Sequence, residues 1–165
     1  KHKEAADSFD KSLKIFPRNA HALAGLGQVA FQLRQYEKAM DAYESAYEAD
    51  RNPRHLFEKG HAAFFGKKYR DAQSGFARFC ELFPQDAQGQ FWYGLAALRL
   101  NDKDFGLKKL EEAAKLDSKD ECIKNALALA RKGAAIKLQQ EEDIALTDKK
   151  PDAIKPKELI RINDE

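Results

Sequence analysis

AHALAGLGQVAFQLRQYEKAMDAYESAYEAD, residues 20–50, is the stretch whose reading decides the fold. Its second half sets Ala39, Tyr43 and Ala46 at i, i+4 and i+7, which paints one stripe along a helix. Its first half carries Gly27 among apolar residues. The pattern then returns. Gly27, Gly60 and Gly94 recur at spacings of 33 and 34, and Ala5, Ala39, Ala72 and Gly106 at 34, 33 and 34. Four residues after each of the latter stand Phe9, Tyr43, Phe76 and Leu110; three further on stand Ser12, Ala46, Phe79 and Ala113. Tyr36 and Tyr69 hold matching places before a second helix. The small residue lets two antiparallel helices approach closely, and the large one fills the space beside it. One such hairpin cannot bury its stripe alone, so copies stack and share a core.

The period divides the chain. Residues 1–19 read as the second helix of an incomplete hairpin, stopped by Pro17. Residues 20–52, 53–86 and 87–120 read as full hairpins, residues 121–146 as a capping helix, and residues 147–165 as an extended charged tail. The expected fold class is all-α. Because the chain opens in mid-hairpin, its natural N-terminus is expected to be missing, and any targeting signal with it. The tail holds one apolar knot, Leu159-Ile160-Arg161-Ile162, expected to dock on its own groove, on a neighbour's or in a lattice. Three positions break the pattern: Lys59 and Gln90 stand where large apolar residues are expected, and Lys103 replaces a tyrosine. An altered turn is expected around Asn101–Asp104.

Composition excludes several functions. With 29 basic and 27 acidic residues the formal net charge is +2, and the charges are interspersed, so no nucleic-acid-binding stripe stands out. No run of eighteen apolar residues offers a membrane span. Cys80 and Cys122 sit in apolar helical patterns as structural thiols, and sequence alone does not decide whether they could meet. The histidines, His2, His21, His55 and His61, form no metal-binding spacing, and no phosphate loop or nucleophile elbow is present. An enzyme is not expected, and neither is a cofactor or a metal.

The Leu, Leu-Gly, Tyr, Ala and Tyr-x-x-Ala signature of residues 20–50, repeated over roughly residues 3–130, resembles the tetratricopeptide repeat. That resemblance implies antiparallel hairpins stacked in a right-handed superhelix, with a concave groove lined by the first helix of each hairpin. Residues 69–98 are also similar to repeats of bacterial envelope proteins, and residues 20–83 resemble the translocator chaperones of type III secretion. These likenesses favour a bacterial origin. The compartment stays undetermined: the cytoplasm is the default, and the periplasm stays open.

Groove positions come from helical spacing. They are His21, Ala24, Gln28, Phe31 and Gln32 in the first hairpin, and Phe57, His61, Phe64 and Phe65 in the second. In the third they are Gln88, Phe91, Leu95, Leu98 and Arg99. Two readings stand side by side. The rings are core, or Phe31, Phe57, His61, Phe64, Phe65, Phe91, Leu95 and Arg99 line an apolar groove for a partner's peptide or helix. The family's carboxylate clamp for acidic chaperone tails needs cationic or polar residues where Ala24, Phe57 and Phe91 stand, so it is not expected. The function expected is a protein–protein interaction scaffold. The alternatives are a self-associating segment of a longer repeat protein and a secretion-chaperone-like client binder.

Overall fold

A computed structural model describes residues 1–138. Among these residues eight helices succeed one another: α1 (His2–Ile15), α2 (Ala20–Gln32), α3 (Tyr36–Asp50), α4 (Arg54–Phe65), α5 (Tyr69–Leu82), α6 (Ala87–Arg99), α7 (Lys103–Leu116) and α8 (Glu121–Arg131). Each packs on the next: α2 with α3, α4 with α5 and α6 with α7 are the hairpins, and α3–α4, α5–α6 and α7–α8 join them.

The starts of the first helices are written in side chains. Asn19 accepts a hydrogen bond from the Ala22 N–H, Asp86 from that of Gly89, and Asp120 from those of Cys122 and Ile123. Before α4 the Asn52 side chain accepts from the Arg54 N–H. Such a cap contributes about 1 kcal/mol by satisfying a donor that the helix leaves orphaned.

The ends of the same helices share one device. After α2, the Arg34 N–H donates to the Phe31 carbonyl at 2.9 Å and the Gln35 N–H to that of Ala30 at 2.8 Å, with Arg34 left-handed at φ 58°. This pair of bonds closes a helix by turning its last carbonyls inward. Lys67 (φ 60°) and Asn101 (φ 65°) repeat it after α4 and α6. The turn at Asn101–Asp104 is therefore the same as its two predecessors, not altered: asparagine tolerates the left-handed region, and Asp102 caps α7 by accepting from the Phe105 N–H.

Gly133 at φ 68° closes α8 in the same way, with the Ala134 N–H donating to the Leu129 carbonyl at 3.0 Å. This corrects the expected helix over 121–146, which ends at Arg131. Residues 134–138 then run on without helix, Ile136 and Leu138 buried and Lys137 exposed between them. That alternation is the period of an extended segment. The remainder of the expected cap, the tail and its Leu159–Ile162 knot lie outside the described residues.

The repeat explains the packing. A Cβ on Gly60 would lie 2.7 Å from Cε1 of Phe76, and one on Gly94 would lie 3.0 Å from the Gly106 carbonyl oxygen. The ring or backbone of the second helix thus rests directly on the first. Two of the three departures from the pattern become polar links. Lys59 pairs with Glu44 of the preceding hairpin, which also meets Arg78 at 3.6 Å. Gln90, buried, donates to the Pro84 carbonyl at 3.0 Å.

Candidate protein-interaction surface

The groove positions of α2, α4 and α6 meet in one chain of rings. Phe31 lies edge-on to Phe65 at 5.8 Å and to Tyr36 at 5.6 Å. Phe65 reaches Trp92 at 5.9 Å, and Trp92 in turn meets Phe64 at 5.4 Å, His61 at 4.4 Å and Phe91 at 5.6 Å. Phe57 lies tilted between His61, at 4.4 Å, and Phe79, at 4.9 Å. Leu95 is fully buried in the same cluster. Edge-on contacts at these distances add about 0.5–1.5 kcal/mol each beyond the area they bury.

Burial divides the eight candidate residues into two sets. Phe64, Phe65, Phe91 and Leu95 are buried, whereas Phe31, Phe57, His61 and Arg99 keep part of their surface in solvent. The partly exposed set spans the face from α2 to the end of α6. His61 is the polar member of the ring chain. Its Nε2 is buried without a hydrogen-bond partner, and burial pushes its pKa down to about 3, so the imidazole is neutral.

Arg99 closes the far end. Its guanidinium lies over the Phe64 ring at 5.6 Å and donates a hydrogen bond to the Ile136 carbonyl at 2.9 Å. Ile136 and Leu138 are 4% and 3% exposed and belong to the same cluster as Phe64, Phe65, Phe91 and Leu95. The segment after α8 is thus held to the end of α6 by Arg99.

Sequence reasoning missed Trp92, the hub of the rings, because it stands one helical position off the expected groove stripe. It also missed Ile136 and Leu138. Their signal was present: a glycine and then an apolar-polar-apolar alternation.

Among the described residues no group of three His, Cys, Asp or Glu is placed to hold a metal, and no helix is long and apolar enough to cross a membrane. Both cysteines are free thiols, Cys80 buried and Cys122 partly so. Burial pushes the Cys80 thiol up to about 11, which makes it a poor nucleophile at neutral pH.

Comparison with known proteins agrees with the architecture. The family model described as tetratricopeptide repeat matches residues 1–53 and 57–121. The heat shock protein STI1 of Saccharomyces cerevisiae is 26% identical over 123 residues, covering 73% of this chain but only 21% of that protein. Among solved structures, a crystal structure of MamA superposes with a TM-score of 0.75 at 18% identity, over 88% of this chain and 83% of that one. The first repeat domain of Spaghetti (RPAP3), bound to the HSP90 peptide SRMEEVD, gives a TM-score of 0.65 at 23% identity, over 69% and 91%.

Proposed function

The chain belongs to the tetratricopeptide repeat family, and on that premise we propose that it is an interaction scaffold whose first-helix groove takes an apolar segment of a partner protein. One observation carries this reading. Phe31 and Phe57 stay partly exposed at the edge of a continuous aromatic cluster that crosses three hairpins. A partner side chain that covers such a ring gains about 1.5–3 kcal/mol. Two or three such anchors suffice for micromolar binding after the cost of ordering the peptide.

The likeness to a domain bound to an HSP90 peptide supports peptide binding as a mode of this fold. The side chains here point to a different ligand. Where an acidic peptide would need cations stand Phe57, whose ring is partly exposed, and Phe91, which is buried, so the segment preferred is apolar. The chain spans about a fifth of the length of the yeast relative, so that protein's wider activity is not carried over.

The test is a displayed library of random peptides selected on the full chain, with the winners titrated against the Phe31→Ser/Phe57→Ser variant. Binding should weaken at least about tenfold while circular dichroism stays unchanged, because each substitution removes an apolar anchor. Unchanged affinity in a folded variant would refute the groove.

A further inference from the structure

We infer that residues 134–138 are an exchangeable, built-in occupant of this groove, and that the partner it accepts is an extended segment with two apolar side chains two residues apart. The inference rests on the reading of the groove as a peptide site and specifies what fits there.

Three observations lead to it. First, α8 is complete without residues 135–138, the last closing bond coming from the Ala134 N–H. Its end is closed by Gly133 with the same pair of backbone hydrogen bonds that closes α2, α4 and α6. Those helices lead within a few residues into a second helix; α8 leads instead into a segment without helix. Second, that segment binds as a peptide ligand does. Ile136 and Leu138 are buried in the hydrophobic core cluster that holds Phe64, Phe65, Phe91 and Trp92, while Lys137 between them faces solvent. Alternate side chains in pockets with backbone polar groups read by the receptor is the logic of extended-peptide recognition. Third, the receptor group that reads the backbone is Arg99, whose guanidinium donates to the Ile136 carbonyl at 2.9 Å. A main-chain carbonyl is common to every peptide, so this contact does not depend on the segment's own sequence. The guanidinium also lies over the Phe64 ring, 5.6 Å from its centroid.

The geometry therefore selects by spacing and conformation. An apolar-x-apolar stretch in extended form puts both side chains on one side and presents a carbonyl to Arg99. A helical segment spaces its apolar side chains three and four apart and spends its carbonyls internally.

The experiment uses the full chain and a fluorescent peptide of its residues 132–142, KGAAIKLQQEE. In the Ile136→Ser/Leu138→Ser chain the covalent occupant no longer fits, so the free peptide should bind at least about tenfold more tightly than it binds the unmodified chain, and should raise the melting temperature of the variant alone. A peptide with serine at both apolar positions should not bind. Adding Arg99→Ala to the serine variant should weaken binding about tenfold, the range for a hydrogen bond from a charged donor.

A folded serine variant that binds the peptide no better than the unmodified chain overturns the inference. So does a variant that stays unfolded with excess peptide, since 134–138 would then be an integral piece of core. Neither result touches the library test at Phe31 and Phe57, which decides the groove separately.

Discussion

Phe9 and Phe76 occupy the same place in the repeat, one on α1 and the other on α5, yet they live in different surroundings. Phe76 lies between α4 and α6 and is completely buried. Phe9 rests against α2 and stays partly exposed; no residue of α1 is fully buried, and Ile15 and Phe16 at its end are 70% and 65% exposed. The two helices carry the same small-large pair, Ala5-Phe9 and Ala72-Phe76, followed by Ser12 in α1 and Phe79 in α5. Among the described residues Phe76 meets helices on two sides, α4 and α6, whereas Phe9 packs on α2. In a stacked array a helix contributes stability through the surfaces on both its sides, so the same repeat position yields unequal burial.

The largest expected effect tests this directly. Phe76→Ala should cost about 3–5 kcal/mol, the range for a large aromatic removed from a closed core. Phe9→Ala should cost about 1–2 kcal/mol, because part of the ring already meets water. Urea unfolding measures both, and equal losses would abolish the contrast.

The next effect sharpens it by pH. His61 is held neutral in the packed half, its pKa near 3 against 6.5 for the free side chain. Between those values the unfolded chain binds the proton and the folded chain does not. The stabilising contribution is therefore complete above pH 6.5 and is lost as the pH falls towards 3, at up to about 1.4 kcal/mol per pH unit. His61→Leu should flatten that part of the stability–pH curve; a slope identical to that of the unmodified chain would show that the imidazole is protonated in place.

The smallest effect concerns the polar link between hairpins. Lys59, by its hydrogen bond above all, and Arg78 hold the Glu44 carboxyl below its usual range. The pair is partly solvated, so Glu44→Gln should cost only about 0.5–1 kcal/mol at neutral pH, and less in high salt. Because the folded pKa is lowered, this increment is present above the ordinary glutamate range and fades as acid protonates the carboxyl. A chemical-denaturation series at two salt concentrations reads it.

The hairpins were legible because a period of 33 and 34 residues repeats several residue types at once. Their turns were less so. Arg34 and Lys67 adopt the left-handed conformation without being residues that announce it, and only Asn101 and Gly133 carry the usual signal. The continuous helix expected over 121–146 rested on composition that favours helix over much of the span, and a single glycine outweighs it locally. Which rings are covered was not legible at all. Helical spacing places Phe57 and Phe91 on one face, but which ring is covered depends on residues of other helices: Phe57 meets Phe76 and Phe79 of α5 and keeps part of its surface in solvent, while Phe91 is buried. Lys59 and Gln90 read as flaws in a pattern because their partners, Glu44 and the Pro84 carbonyl, stand in other elements.

The short connection from α8 to Ile136 has a thermodynamic consequence. An occupant tethered this closely competes at an effective concentration of about millimolar. A free partner that offered only the same two side chains and carbonyl would have to approach that concentration to displace it. A partner present at micromolar levels must therefore hold more of the surface, reaching Phe57 and Phe31 as well, or arrive in several linked copies. If the segment is exchangeable as inferred, the tether acts as a threshold that sets how much of the surface a competing ligand has to hold.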